Sequence, residues 1–350
     1  MLLKNLFKLA VEKKASDLHL ITGLKPLLRI NGELDYIEEA KEISGKDMEQ
    51  MIFGILNSEQ KEKFLSTREL DIGYSIDNNR YRINLHFEKN NIGLVARVIN
   101  DIMPSLDSID MPKIIYNLLD LQQGLILLTG PTGCGKSTSL AAMVNYINEN
   151  RFANIITLED PIEFIFKSKK SVIKQRELGS DMLSFASGLK HALRQDPDII
   201  MVGEMRDLET IATTITLAET GHLVLATLHT YSAAQTIDRI IDIFPPHQQS
   251  QIRMQLSMVL SGVISQRLLS DLRGGRVAAR EIMINTPAVS NLIRENKIAQ
   301  IKTVIETSSK EGMTSLDQSL QKLFKDKIIS KEVAQINMVN PEVLEKFKLL

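Results

Sequence analysis

Residues 130–137 read Gly130-Pro131-Thr132-Gly133-Cys134-Gly135-Lys136-Ser137, between an apolar run at 125–128 and a helix-forming stretch at 138–147. This is the P-loop spacing G-x-x-x-x-G-K-[ST] in its proper setting, a strand before and a helix after. Glycines at 130, 133 and 135 open backbone conformations closed to other residues, so several N–H groups can converge on one anion. The helix that follows adds the positive end of its dipole. Lys136 can reach the β- and γ-phosphates, and the Ser137 hydroxyl can bind Mg²⁺. The run, with Thr138 after it, is the expected nucleotide site. A glycine-rich turn with no ligand is the bland alternative, and the flanking strand and helix signals argue against it.

The rest of the chain sets limits around that motif. A length of 350 residues predicts two domains, and 43% hydrophobic content is enough for a sizeable core. A formal net charge of −1 gives no bulk attraction to nucleic acid or anionic lipid. No apolar run approaches the length of a membrane span. In residues 1–14 the charges Lys4, Lys8, Glu12, Lys13 and Lys14 interleave with Leu2, Leu3, Leu6, Phe7, Leu9 and Ala10 at helical spacing. That predicts an amphipathic helix rather than a signal peptide. The single cysteine, Cys134, excludes an intrachain disulfide and a multi-cysteine zinc site. Inside the P-loop it is either a redox switch or a small tolerated side chain. The expectation is a cytoplasmic protein with no nucleic-acid partner and no direct membrane insertion.

Residues 1–100 read as a small α+β domain. A helix is predicted at 2–14 and a strand at 17–21. The pair Asn31-Gly32 between 27–30 and 33–37 signals a hairpin. Helices at 45–56 and 58–65 and strands at 80–87 and 93–98 follow. Arg80, Arg82 and Asn84 alternate with Tyr81, Ile83 and Leu85, giving one polar, basic strand face. Residues 101–112, with Pro104, Pro112 and several aspartates, read as a linker. From 113 to 350 the pattern is strand, helix, strand. Apolar strands at 125–129, 155–158, 199–202 and 223–227 predict an α/β sheet covered on both faces. Another strand is expected at 277–284, then helices at 288–295, 298–307, 315–325 and 331–336.

Cleaving a phosphoanhydride needs Mg²⁺, an oriented water and positive charge at the γ-phosphate. The segment Glu159-Asp160-Pro161-Ile162-Glu163 follows a strand, and Pro161 stops pairing there. Glu163 is the candidate general base; a solvated acidic turn is the alternative. A second acid closes Asp198-Ile199-Ile200-Met201-Val202-Gly203-Glu204, the Walker B arrangement, where Glu204 would act on Mg²⁺ or its water. His222 and His229 bracket the next strand. His229 can sense the γ-phosphate or hold the base, and either histidine can equally be satisfied by a structural hydrogen bond. Arg194 and Arg206 flank the Walker B strand and can reach phosphate, or pair with Asp196 and Asp207. Arg80, Arg82 and Arg97 lie in the other domain. They are either arginines delivered to a phosphate site or a solvated basic face.

Taken together these segments resemble the secretion-superfamily ATPases, in the pilus-retraction branch. Ala15-Ser16-Asp17-Leu18-His19-Leu20, with Pro26, Arg29 and Gly32, resembles the family's PAS-like domain. Residues 130–137 match its Walker A and 156–163 its Asp box. Residues 193–198 with 203–207 match its Walker B region, and 218–222 with 228–230 its His box. Gly275-Arg276-Val277-Ala278-Ala279 and Asn291-Leu292-Ile293-Arg294-Glu295 resemble features of the retraction branch. Two positions depart from the pattern: Ser290 stands where the family has arginine, and Cys134 where serine is more usual. The resemblance implies a RecA-like P-loop NTPase core behind a PAS-like α+β domain, with a helical C-terminal region from about 288. It implies a homohexameric ring holding ATP and Mg²⁺ between the two domains. Glu163 would be the base, and Glu204 with Ser137 would serve the metal. Arg80, Arg82 and Arg97 would lie near phosphate. The implied partners are an inner-membrane pilus platform protein at the cytoplasmic face and a paralogous retraction ATPase. A pilus-assembly or type II secretion motor and a low-turnover nucleotide-binding regulatory subunit are the alternatives. The chain lacks the four-cysteine insert usual in assembly-type relatives. A nucleic-acid translocase is disfavoured by the neutral charge and the lack of a basic–aromatic stretch.

Overall fold

Alternation builds the first sheet: Tyr81, Ile83 and Leu85 are buried, while Arg82 between them is exposed. The computed structural model describes residues 3–30, 32–77, 79–99 and 103–341. It divides into two units, one of residues up to 102 with Pro161–Ile165, the other of the rest. Leu2, Asn31 of the expected hairpin, and residues 101, 102 and 342–350 lie outside the described residues.

The first unit holds β1 (Asp17–Ile21), β2 (Leu27–Ile30), β3 (Glu33–Tyr36), β4 (Glu69–Ile76), β5 (Asn79–Glu88) and β6 (Asn91–Ile99). They form an antiparallel sheet in the order β3-β2-β1-β6-β5-β4. Helices α1 (Leu3–Glu12), α2 (Gly45–Phe53) and α3 (Ser58–Thr67) complete it. The apolar stripe of α1, Leu3, Leu6, Phe7 and Ala10, is buried in the same core as Leu18, Leu20, Ile83 and Leu85. Helix α3 starts in a reciprocal cap between Asn57 and Gln60. Strand β4 was not anticipated, because Gly73 and Tyr74 interrupt its alternation.

The second unit contains β7 (Gly124–Thr129), β8 (Asn154–Glu159), β9 (Val172–Glu177), β10 (Ile199–Val202), β11 (Leu223–Leu228), β12 (Leu260–Ser270) and β13 (Arg276–Ile284). Their order is β13-β12-β7-β11-β10-β8-β9. All pairs are parallel except β12 with the edge strand β13. Around the sheet lie α4 (Ile114–Leu119), α5 (Lys136–Asn150), α6 (Phe185–Ala192), α7 (Leu208–Glu219), α8 (Ala233–Asp242) and α9 (Pro246–Val259). Then come α10 (Pro287–Arg294), α11 (Ile301–Thr307), α12 (Leu316–Lys325) and α13 (Lys331–Asn337). Every residue of β7, β10 and β11 is buried, as strands covered on both faces require. The fold is α/β with a separate α+β unit at its N-terminus.

The chain leaves β7 through α5 and re-enters the sheet at β8, two places beyond its neighbour β11. Strands β11 and β10 fill the gap. The C-terminal ends of β7, β11, β10 and β8 therefore stand side by side, which is where open α/β sheets carry their ligands. Two expectations change in detail. The helix expected over 298–307 is a 3-10 turn, Ile298–Gln300, followed by α11. The stretch expected to be a plain linker contains a 3-10 turn, Asp107–Ile109. It is anchored by the buried Arg280, which donates to the Ile109 and Asp110 carbonyls at 2.8 and 3.0 Å.

Candidate nucleotide site

The P-loop is a glycine construction in the strict sense. Gly130, Gly133 and Gly135 have φ of +147°, +78° and +86°, and Gly135 is the N-cap of α5 with no side-chain cap. No N-cap side chain therefore stands at the leading end of α5, where the dipole favours an anion. Lys136 Nζ donates to the carbonyls of Gly130 at 2.6 Å and Pro131 at 3.1 Å, folding its charge over the loop. An uncapped helix start, a run of positive-φ glycines and a lysine over them fit a polyphosphate. Thr132 is exposed, and Pro131, Ser137 and Thr138 are half-buried. Cys134 is 3% exposed. Burial pushes its thiol up, against smaller opposing effects from Lys136 and hydrogen bonds. A buried, protonated thiol is a poor redox sensor, so the small-side-chain reading fits and the switch does not.

Glu204 sits two residues past β10, and His229 follows the last residue of β11. The Glu204 carboxylate accepts from Arg206 Nε at 2.7 Å and lies 3.0 Å from His229 Nε2, on the same oxygen. Burial alone would raise its carboxyl. The bond and charge of Arg206, then His229 and Lys136, outweigh burial and hold it below the ordinary glutamate value. Lys136 is therefore close enough for its charge to be felt, and an ionised carboxylate is a hard oxygen donor of the kind Mg²⁺ takes, as is Ser137. The strand ends are tied together: Thr227 Oγ1 donates to the Gly203 carbonyl at 2.5 Å, and Met205 N to the Thr227 carbonyl at 3.1 Å. Arg206 pairs with Glu204 rather than Asp207, whose carboxylate instead caps α7 at Thr210.

Two expected residues lie elsewhere. Arg194 is exposed in a 3-10 turn, Leu193–Gln195, before β10. His222 precedes β11. In a parallel sheet both are at the end opposite the P-loop, so neither reaches phosphate bound by the same chain. His222 is held by the Leu217 carbonyl at 3.0 Å and Thr220 at 3.3 Å, a structural role. Among the described residues Arg194 makes no ion pair with Asp196.

The remaining candidates belong to the first unit. Arg82 and Arg97 are directly opposite on β5 and β6, an arrangement that costs free energy unless an anion or acid relieves it. Arg97 Nε pairs with Asp17 at 2.9 Å. Arg80 Nε donates to the Ile162 carbonyl at 3.1 Å, tying β5 to the segment that carries the half-buried Glu163. Glu159, the first acid of that run, is buried; it accepts from Thr157 at 2.6 Å and Gln175 at 3.0 Å. One contributor went unread in the sequence: Gln266 of β12, buried against the P-loop. Its sequence signal is weak, a polar stretch Ser265-Gln266-Arg267 between Val263-Ile264 and Leu268-Leu269.

Comparison with known proteins agrees with this geometry. Residues 106–274 match the family described as "Type II/IV secretion system protein". The chain is 44% identical over 338 residues to the type IV pilus retraction ATPase PilT of Pseudomonas aeruginosa, spanning 96% of this chain and 98% of the relative. It is 46% identical over 319 residues to the twitching motility protein of Neisseria gonorrhoeae, spanning 91% and 85%. The solved structure of the pilus retraction motor PilT with bound ADP matches with a TM-score of 0.93 at 40% identity, over 99% of this chain and 100% of that one. Among the described residues no helix is long and apolar enough to cross a membrane. Identity of this order over almost the whole length means that the chain belongs to the PilT family of type II/IV secretion system proteins.

Proposed function

We propose that this chain is an ATP-hydrolysing motor that retracts type IV pili, working as a homohexameric ring at the cytoplasmic face of the inner membrane against a pilus platform protein. The observation that carries the reading is the meeting of three adjacent strand ends. They gather the P-loop with Lys136, the ionised Glu204, and the Arg206 and His229 that hold it. The PilT relatives support the task.

The loop amides of residues 130–138 bind the phosphates of ATP, and Lys136 turns from its loop carbonyls to the β- and γ-oxygens. Bound Mg²⁺, held through Ser137 and Glu204, supplies Lewis-acid neutralisation of phosphate charge. Glu163 takes the proton of the attacking water. Arg80, Arg82 and Arg97 supply positive charge to the developing transition state. His229 couples the state of the γ-phosphate to Glu204. Arg194 and His222 have no part at their own chain's phosphates. The two units are the PAS-like and RecA-like domains, and cycling of the site drives pilin back into the membrane.

The test is ATP turnover by the purified full chain beside Glu204→Ala, with oligomeric mass measured in ATP and the phenotype of a gene deletion. Turnover about 100-fold above the variant, a hexamer, and hyperpiliated, non-motile cells are expected. A wild type as slow as Glu204→Ala points to a regulatory subunit. Cells without pili point to an assembly motor. A monomer hydrolysing at full speed ends the ring reading.

A further inference from the structure

Gln266 lies on β12 one residue past Ser265, whose partner Thr129 is the last residue of the P-loop strand. It is 2% exposed. Nε2 donates to the Cys134 carbonyl at 2.8 Å, and Oε1 accepts from the Ser139 hydroxyl at 2.9 Å. A carbonyl oxygen only accepts, so Cys134 dictates which way round the amide sits. The backbone oxygen of Gln266 lies under Gly130, 2.4 Å from where a Cβ there would stand. One residue thus touches the loop at its beginning, at its end and in the first turn of α5.

We propose that Gln266 is the positioning residue that holds the P-loop amides in their phosphate-binding arrangement; the inference rests on the nucleotide reading above. In a trans peptide the C=O and N–H point opposite ways. Tying the Cys134 oxygen to β12 therefore turns the Gly135 N–H away from β12, to the loop's other face. The Ser139 bond fixes the first turn of α5, whose leading amides carry the positive end of the dipole. The Gln266 amide acts through the loop and touches no reacting atom. The phosphates it positions are common to ADP, ATP and the transition state, so it contributes binding that is uniform along the reaction. Losing such binding raises KM and leaves kcat in place.

The experiment measures KM and kcat for ATP and the affinity for ADP, in the full-length chain. The variants are Gln266→Met, Gln266→Glu and Ser139→Ala, with Lys136→Ala as control. Gln266→Met keeps the length and removes both bonds. It should raise KM and weaken ADP binding by about tenfold, the effect of one or two buried hydrogen bonds, with kcat within about twofold. Gln266→Glu cannot donate to Cys134 once ionised, whereas its buried protonated form can, so its KM should climb with pH relative to wild type. Ser139→Ala should do less, in the same direction. A residue that only stabilises the fold would lower the melting temperature while the folded fraction kept its KM. Should Gln266→Met unfold at the assay temperature, Gln266→Glu and Ser139→Ala decide by the same readouts. Wild-type KM and ADP affinity in the folded variants, beside a Lys136→Ala that loses ADP, overturn this inference alone. A Lys136→Ala that still binds ADP normally overturns the nucleotide reading with it.

Discussion

Three glycines in one loop make a quantitative prediction that their spacing alone does not. A Cβ built on Gly130, at φ +147°, would stand 2.4 Å from the Gln266 carbonyl oxygen and 2.6 Å from Cys134 Sγ. The sulfur can rotate, but the backbone oxygen belongs to a paired strand and cannot. Gly130→Ala therefore carries both backbone strain, roughly 1–3 kcal/mol, and an overpacking cost of roughly 1–3 kcal/mol. Gly133, at φ +78°, has nothing within 4 Å of its Cβ position. Gly133→Ala carries only the left-handed penalty of roughly 1–2 kcal/mol, offset by roughly 0.5 kcal/mol from a less flexible unfolded chain. Gly135, at φ +86° with Gln266 Nε2 at 3.4 Å, falls between. In a domain of this size 1 kcal/mol moves the melting temperature by about 2–4 °C. Gly130→Ala should lower the transition of the second unit by roughly 10 °C, and Gly133→Ala by roughly 3 °C. Differential scanning calorimetry reads the transition, and titration with ADP reads the loop. Gly130→Ala should also lose most ADP affinity, because the loop must leave β12 to accommodate the methyl. Equal melting shifts for the two variants would refute the packing of Gly130 on Gln266.

Other expectations follow from the same coordinates. Glu204→Gln should cut ATP turnover by about 100-fold or more while ADP affinity stays near wild type, and near-normal turnover would remove Glu204 from the chemistry. The folded state holds the Glu204 carboxyl below its ordinary value, despite burial, through Arg206 first and His229 and Lys136 after it. Its ionised form thus contributes stability above the unfolded pKa, and that contribution is lost as pH falls through the lower folded one. Arg206→Ala should move the acid limb of the turnover profile to higher pH, and an unmoved limb counts against the pairing. Arg280→Met removes two charge-assisted bonds to the carbonyls of Ile109 and Asp110. At about 1.5–3 kcal/mol each, their loss should raise the rate of tryptic cutting at Lys113 by at least tenfold; an unchanged rate would mean the segment is held by other contacts. Ser290→Ala deletes a hydroxyl that donates to the Ser257 carbonyl at 2.6 Å and should cost about 1 kcal/mol in denaturant unfolding.

Much of this architecture was legible because the governing strands are buried on both faces. Residues 125–129, 199–202 and 223–227 read as strands from apolar content alone, and the structure places them within a residue of those limits. The helices expected in the C-terminal region are found, and the structure shows α12 starting in the reciprocal cap of Ser315 and Gln318. The strands that the pattern hides do so for different reasons. Strand β9 reads Val-Ile-Lys-Gln-Arg-Glu, an edge strand with a neighbour on one side only, so most of it is half-buried or exposed and it carries little apolar signal. Within the site, Lys136, Glu204 and His229 follow from motif and strand-end logic. Arg194 and His222 were placed by proximity in sequence, and the parallel register carries them to the sheet's other end.

Strand β12 is the instructive case, because its polar residues hid it for the same reason that they matter. Gly262 sits where a Cβ would meet Leu118 and the Met283 carbonyl at 3.0 Å, so the strand gives up side chain to packing. Ser265 accepts from Thr129 at 2.8 Å, and Gln266 serves Cys134 and Ser139. Each is a buried polar group whose burial is tolerable only because every partner is present. Together they stitch the P-loop strand, the loop and the helix after it to a strand remote in sequence. A wholly apolar β12 would have been easy to read as a strand and unable to hold a loop whose own amides must stay free for an anion. The loss of hydrophobic pattern at β12 thus follows from the polar contacts that it makes to the P-loop strand, the loop and α5.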